Sequence, residues 1–235
     1  MACDQGCLRL SARLHAVAEF VPQGARVADI GTDHGRLLVE VLTRRRAQRV
    51  IGIDCRTDPL RVARSTIDAA GAEIAARVEL RLGDGLAALA PGEVDAIVIA
   101  GMGARRICTI VDAHRDRVSA AVTLILQPAN DWQHLRSWLA GAQMRPLGER
   151  IVWERGRAHL VLAVTPGSWL WEPDDISFGP RLRREPDESY RAWLDVEQKR
   201  MQAIVARPGA AGPTARVWCE RVAAEWTRVR EGVPA

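Results

Sequence analysis

The sequence lacks long apolar runs. Apolar stretches such as residues 96–100 and 160–164 are much shorter than the roughly 20 residues that cross a bilayer. Residues 1–15 carry charges where a signal peptide would be apolar, and Ala2 stands where N-myristoylation requires glycine. We therefore expect a cytoplasmic protein with no membrane partner.

Support for a metal centre, a disulfide framework or a hydrolase site is also lacking. The cysteines form no CxxC pair, and they lie scattered at Cys3, Cys7, Cys55, Cys108 and Cys219. Idle thiols in a reducing compartment are therefore expected. No histidine pair has metal-ligand spacing, and no serine or cysteine lies in a nucleophile elbow. We expect no metal and no hydrolytic activity.

Lysine is almost absent, since Lys199 is the only one, so arginine supplies nearly all of the positive charge. The formal net charge is +4. Because arginine pairs with phosphate and stacks on bases, this composition modestly favours a polyanionic partner.

Short apolar runs alternate with helical patterns up to residue 164. Strands are predicted at 27–30, 49–54, 78–82, 96–100, 121–127, 147–153 and 159–164. Helices are predicted at 8–20, 37–42, 60–70 and 105–111, and another, capped by Asp131, ends at residue 139. This alternation indicates a doubly wound parallel sheet, and the last two strands form an antiparallel hairpin. The predicted fold is α/β, with the seven-stranded Rossmann-like sheet of class I methyltransferases.

The composition changes after residue 164. Residues 165–186 are rich in proline and predict a linker packed on the domain surface. Helical patterns at 189–206 and 214–230, separated by a helix-breaking turn at 207–213, predict a small C-terminal α-helical hairpin domain. We place the domains at 1–165 and 166–235, and expect Trp193, Trp218 and Trp226 to pack between helices rather than to stack on bases.

The first strand ends in the loop ADIGTDHGRL. Gly31 permits a tight turn and a close approach of the backbone to a ligand. Acids such as Asp29 and Asp33 would repel phosphate and favour a positively charged ligand. S-adenosylmethionine, with its amino group and sulfonium, is such a ligand. An ordinary turn with capping acids is the alternative.

The second and third strands also end in acids, Asp54 and Asp84. Ligands bind where the carboxyl ends of parallel strands converge. Asp54 could hold ribose hydroxyls there, or it could cap the next helix. Asp84 could bind an adenine edge through the exocyclic amine and a ring nitrogen.

Glycines and amides follow the fourth and fifth strands. The sequence Gly101-Met102-Gly103 lets a flat base approach the backbone, although a plain turn with a core methionine is the alternative. The sequence Gln127-Pro128-Ala129-Asn130 ends the fifth strand and places amide groups on the same edge of the sheet.

Together these stretches resemble the bacterial tRNA (adenine-N1)-methyltransferases that modify position 22 in the D-arm. The similar stretches occur in family order between residues 8 and 200, and include ADIGTDHG, GIDC, RLGDGL, DAIVIAGMG, LILQP, FGPRL and ERGRAHLVLAV. The resemblance implies S-adenosylmethionine as the methyl donor, tRNA as the partner and a class I fold; we also expect a monomer.

Three sets of site residues are expected. Those for catalysis are Asp33, His34 and Met102. Those for the cofactor are Asp29, Gly31, Thr32, Asp54, Cys55, Asp84, Gly85, Ala100 and Gly101. Those for the RNA are Arg13, Gly103, Arg105, Gln127 and Pro128. Asp33 would stabilise the cationic methylated ring or accept an N6 proton, and His34 would position the base unless it is only a packed histidine.

The chain departs from the family at two places. An aromatic residue and a proline usually follow Asp-His, where this chain has Gly35-Arg36-Leu37-Leu38, and the GMGG loop ends in Ala104 instead. Two other functions remain open: a class I methyltransferase acting on another RNA site or a small metabolite, and a non-catalytic RNA-binding relative.

Overall fold

The computed structural model describes residues 10–206 and 212–235. Three sequence predictions therefore lie wholly or partly outside the described residues. They concern the start of the first helix at Leu8, the thiols Cys3 and Cys7, and the turn at 207–213.

A seven-stranded sheet forms the centre of the molecule. Its strands are β1 (Ala25–Ile30), β2 (Ala47–Asp54), β3 (Val78–Leu82), β4 (Ala96–Met102), β5 (Thr123–Pro128), β6 (Met144–Glu154) and β7 (Arg157–Pro166). Their order is β3-β2-β1-β4-β5-β7-β6. Strands β1 to β5 are parallel, and β7 runs antiparallel to both β5 and β6. The predicted class I methyltransferase sheet is confirmed.

Helices cover both faces of the sheet. They are α1 (Ala12–Phe20), α2 (Arg36–Thr43), α3 (Thr57–Ala69), α4 (Ala72–Ala75), α5 (Ala104–Ala113) and α6 (Trp132–Gly141). One apolar cluster includes Leu38 and Ile67 from α2 and α3, and the other includes Ile107 and Leu135 from α5 and α6. The Asp131 carboxylate caps α6 as predicted, accepting the His134 N–H at 3.4 Å.

Four helices follow the sheet: α7 (Pro173–Phe178), α8 (Pro180–Arg184), α9 (Glu188–Val205) and α10 (Pro213–Glu231). The prediction of a linker over 165–186 was wrong in part, because this stretch contains two short helices. Pro173 and Pro180 begin those helices. Proline is tolerated at a first helical position because the N–H that it lacks has no intrahelical partner there.

Buried ion pairs connect α7 and α8 to the helical hairpin of α9 and α10. We call the residues involved, Asp175, Arg183, Tyr190, Glu225 and Arg228, the C-terminal joint. Glu225 accepts hydrogen bonds from Tyr190 at 2.8 Å and from Arg228 at 2.6 Å. Arg183 of α8 pairs with the fully buried Asp175 at 3.3 Å and with Glu225 of α10 at 3.4 Å. Burial, with the Glu225 charge beside it, holds the pKa of Tyr190 well above its usual value.

Two tryptophans of the hairpin, Trp193 and Trp218, pack against other aromatic rings, and Trp226 contacts Asp195 and Arg230. Trp193 stacks on Tyr190 with 5.8 Å between ring centroids, and Trp218 stacks on Phe178 at 5.3 Å. Buried side chains of the hairpin join the same apolar cluster as those of α5 and α6. The division into residues 1–165 and 166–235 therefore stays a prediction.

Candidate active site

A cavity of about 730 Å³ opens at the carboxyl ends of β1 to β4. This is the edge at which ligands bind in open parallel sheets, and the strand order reverses here between β1 and β4. Most of the expected site residues line it: Arg13, Asp29, Gly31, Thr32, Asp33, His34, Asp54, Cys55, Asp84, Gly85, Ala100, Gly101 and Met102.

The loop after β1 turns sharply across the cavity floor. The N–H groups of Gly31 and Thr32 both donate to the carbonyl oxygen of Ile53, at 2.8 and 3.1 Å. Gly31 has a φ of +76°, and a Cβ added there would collide with the Met102 side chain. Glycine suits this turn because of its positive φ, whereas the Met102 methyl is the end of a flexible side chain.

Asp29 lies under this loop, and only 5% of its surface is exposed. It accepts a hydrogen bond from the Thr32 hydroxyl at 2.8 Å. Burial, against the lowering effect of the Thr32 hydrogen bond and with the charges of Asp54 and Asp33 beside it, raises the pKa of Asp29 to about 6. No arginine or lysine of the described residues pairs with it. A buried carboxylate in this position favours a cationic ligand.

Asp54 and Asp84 occupy the ends of the next two strands in the sheet. Asp54 is 6% exposed and accepts the Arg56 N–H at 3.0 Å. The Gly83 N–H donates to the Asp54 carbonyl at 3.0 Å, which ties the loop of Asp84 to β2. Asp84 itself is exposed and pairs with Arg106 at 3.1 Å. One acid is thus held inside the cavity and the other at its rim.

Asp33 and His34 lie at the mouth of the cavity. A carboxylate oxygen of Asp33 is 3.5 Å from Nε2 of His34, and more than half of each side chain is exposed. Asp33 has a φ of +47°, a left-handed conformation that is uncommon for a residue other than glycine. Because both side chains are largely exposed, both can contact a substrate.

Gln127 does not line the cavity; its buried side chain holds the end of β4 at Gly101. It is 1% exposed, and its Oε1 accepts the Gly101 N–H at 3.0 Å and a guanidinium N–H of Arg13. Its Nε2 donates to the Pro128 carbonyl at 2.8 Å, which orients the amide. Arg13 also lies 3.9 Å from the Glu154 carboxylate. The Gln127 amide thereby holds α1 and the Gly101 loop together.

Three other residues expected to contact RNA lie outside the cavity lining, namely Gly103, Arg105 and Pro128. Gly103 precedes α5, and the Ala104 N–H behind it donates to Asn130 at 3.4 Å. Arg105 is exposed on the first turn of α5. Their contacts with RNA stay predictions.

The cavity also has lining residues that the sequence did not single out as site residues. They include Ser11, Leu14, Arg36, Leu37, Arg56, Ile110, Glu154 and Arg155. Glu154 and Arg155 come from the β6–β7 turn, which the sequence predicted as a hairpin. Their approach to β1 depends on the strand order and on the contact of α1 with β6 and β7, for which the sequence alone gave no signal.

The set of polar groups fits S-adenosylmethionine better than a nucleotide phosphate. The floor carries carboxylates, which attract an amino group or a sulfonium and repel phosphate. Gly31 leaves space where a side chain would meet Met102. Among residues 10–206 and 212–235, no group of three histidine, cysteine or acidic side chains could hold a metal ion. No helix of that part is long and apolar enough to cross a membrane.

Comparison with known proteins agrees with this geometry. Residues 10–162 match the family described as "Methyltransferase domain". The tRNA (adenine(22)-N(1))-methyltransferase of Bacillus subtilis is 33% identical over 213 residues, which are 88% of this chain and 89% of that protein.

Two solved structures are similar over nearly their whole length. A candidate tRNA (m1A22) methyltransferase from Streptococcus pneumoniae, in complex with S-adenosyl-L-methionine, has a TM-score of 0.83 and 30% identity over 93% of this chain and 100% of that one. The B. subtilis M1A22 tRNA methyltransferase has a TM-score of 0.78 and 29% identity over 96% and 99%. The chain therefore belongs to the methyltransferase-domain family and, within it, to the tRNA (adenine(22)-N(1))-methyltransferases.

Proposed function

We propose that this protein is an S-adenosylmethionine-dependent methyltransferase that modifies N1 of adenine 22 in tRNA. The observation that carries the proposal is the convergence of Asp29, Asp54 and Asp84 on one cavity whose mouth holds Asp33 and His34. The family relationship names the cofactor and the substrate, and the positions of these acids provide a place for each.

The cofactor would be held by three carboxylates. Asp29 would hold its cationic end, Asp54 its ribose hydroxyls, and Asp84 its adenine edge. Gly31, Gly85 and Gly101 let the backbone approach, and Thr32, Cys55 and Ala100 complete the wall. When bound, S-adenosylmethionine supplies an electrophilic methyl group that adenine N1 can accept.

The residues at the mouth would act on the target base. Adenine N1 is nucleophilic without activation, so alignment in the cavity supplies most of the rate increase. Once N1 carries the methyl group the ring is cationic, and the exposed Asp33 carboxylate would stabilise that charge or accept a proton from N6. His34 would position the base, with Met102 as an apolar contact. Arg13, held by Gln127, would position the Gly101 loop.

We propose that the helical hairpin contributes to tRNA binding. A second cavity, of about 580 Å³, is lined by Trp132, Trp193 and Trp218 together with Arg200 and Arg221. The rings of Trp193 and Trp218 are already stacked on Tyr190 and Phe178, so the arginines are the groups that would contact RNA, through its phosphates. Because the target adenine lies within folded tRNA, we expect it to be exposed by local opening or flipping. We further propose a monomeric protein in the cytoplasm, where tRNA is modified.

The decisive experiment incubates the protein with labelled S-adenosylmethionine and unmodified tRNA, then maps the labelled nucleoside. Label at N1 of adenine 22, lost in a transcript with guanine at that position, would support the proposal. Label at another position or on another base would overturn the site, and cofactor binding without transfer to any tRNA would favour a non-catalytic relative.

A further inference from the structure

Five arginines line the cavity, and they fall into two groups. Arg13, Arg56 and Arg106 each pair with a carboxylate of the protein, at distances between 3.1 and 3.9 Å. Arg36 and Arg155 form no ion pair or hydrogen bond through their side chains with any residue in the described part of the chain. Two exposed guanidinium groups at the cavity are therefore available to a ligand.

Arg36 occupies a position where local structure disfavours a cation. It is the first residue of α2, directly after Gly35, and the first turn of this helix contains no acid. The helix dipole is positive at this end, so the guanidinium is repelled by the N–H groups beside it. The charge of Arg36 therefore does not serve the stability of α2.

Arg155 also occupies an unfavourable position. Arg155 and Gly156 form the two-residue turn between β6 and β7, and their φ angles are +49° and +72°. Turns with two positive φ angles favour Asn-Gly, because asparagine tolerates the left-handed region better than arginine does. The exposed Arg155 side chain makes no contact that would compensate for the unfavourable backbone conformation of this turn in the described residues.

We propose that Arg36 and Arg155 bind backbone phosphates on either side of the target adenine. This inference rests on the proposed function. Residues that break a local rule without a structural gain are expected at functional sites, and arginine is the side chain best suited to bind phosphate bidentately. Arg36 follows Asp33 and His34 by only a few residues, and Arg155 follows Glu154, the partner of Arg13. Arg36 is therefore adjacent to residues proposed to face the base, and Arg155 is adjacent to the ion pair that contains Arg13.

The test compares Arg36→Gln, Arg155→Asn and the double variant with the wild-type protein. Each substitution removes a charge while suiting the local backbone, so we expect melting temperatures equal to or above that of the wild type. Affinity for unmodified tRNA is measured at several salt concentrations, and affinity for S-adenosylmethionine is measured by calorimetry. Arg64→Gln is the matched control, because Arg64 is exposed on α3 and likewise has no partner in the described residues.

Each single variant should bind tRNA about 5- to 10-fold more weakly, with the slope of log affinity against log salt reduced by about one. Cofactor affinity should stay within about twofold of wild type, and Arg64→Gln should change neither quantity. Wild-type tRNA affinity and salt slope in the double variant would overturn the phosphate assignment. If the wild-type protein methylates tRNA and the double variant binds tRNA like the wild type, only the phosphate assignment is wrong. If the wild-type protein neither binds nor methylates tRNA, the proposed function itself is wrong.

Discussion

In the cavity, the buried Asp29 has Asp33 and Asp54 as its charged neighbours and no arginine partner among the described residues. In the C-terminal joint, the buried acids Asp175 and Glu225 are each paired with arginine. Both regions remove carboxylates from water, which is costly. In the joint the cost is offset within the folded chain. In the cavity it is left for a ligand to offset.

The difference separates binding from stability. Removing an acid from the joint takes a counter-charge away from buried arginines, so the free energy of unfolding should fall. Removing the charge of Asp29 relieves repulsion in the folded state but takes away the group that attracts a cationic cofactor. Variants of Asp29 should therefore lower cofactor affinity without lowering the free energy of unfolding, and variants of the joint should lower the free energy of unfolding without changing cofactor affinity.

The largest effect is expected from Asp33→Asn. Without a carboxylate to stabilise the methylated ring or accept a proton, kcat for tRNA methylation should fall about 100-fold or more. Affinity for S-adenosylmethionine should be unchanged, because Asp33 is assigned to the base. An unchanged kcat in single-turnover measurements would remove Asp33 from the chemistry.

Asp29→Asn should weaken S-adenosylmethionine binding about 100-fold, because a buried charge partner of the cofactor is lost. The asparagine oxygen can still accept the Thr32 hydrogen bond, so the unfolding free energy of the ligand-free protein should stay equal or rise. Calorimetric titration and urea denaturation measure the two quantities. Normal cofactor affinity in this variant would contradict the role of Asp29.

Glu225→Gln should show the reverse pattern. It leaves Arg228 without its buried counter-charge and removes one of the two buried carboxylates beside Arg183, and we expect the free energy of unfolding to fall by about 3 kcal/mol. Cofactor affinity at a temperature where the protein stays folded should be unchanged. Asp58→Asn is the control, because its ion pair with Arg61 is exposed and should contribute less than about 1 kcal/mol. Equal stability losses in the two variants would argue against the joint as a stabilising feature.

The smallest effect is a dependence on pH. The pKa of Asp29 is raised to about 6, so the folded protein holds a proton that the unfolded chain releases at lower pH. Between about pH 4 and pH 6, this group therefore makes the ligand-free protein less stable as the pH rises. Cofactor affinity should do the opposite, falling as the pH drops below 6. Asp29→Asn should flatten both dependences; an unaltered pH profile of binding would point to another group.

Most of the sheet could be predicted from the sequence because the inner parallel strands contain continuous apolar runs, and β3 at the edge alternates apolar and charged residues. The predicted β3 matches the observed bounds, and the other strands differ by a few residues at their ends. The short helices α7 and α8 were missed because Pro173 and Pro180 are also typical of loops. Nothing local distinguishes a proline that begins a helix from one that prevents it, since the difference depends on tertiary packing around Phe178 and Leu182.

The cavity floor could be predicted because its residues follow strands whose ends must converge. The alternation of strands and helices alone was enough to place Asp29, Asp54 and Asp84 at this edge of the sheet. Gln127 could not be assigned to its inward position, because the sequence does not show on which side of the strand end its amide lies. Arg155 could not be placed at all without the strand order and the packing of α1.

The hydrogen bonds of Gln127 also bear on how the protein should be handled. Because this buried amide joins Arg13 to Gly101, the helix preceding the first strand is part of the active cavity. A truncated version starting at β1 would retain the central sheet but leave the Gly101 loop without one of its supports. Affinity tags are therefore better placed after α10 than before α1, and boundaries for a minimal catalytic fragment should lie upstream of Ser11, which caps that helix.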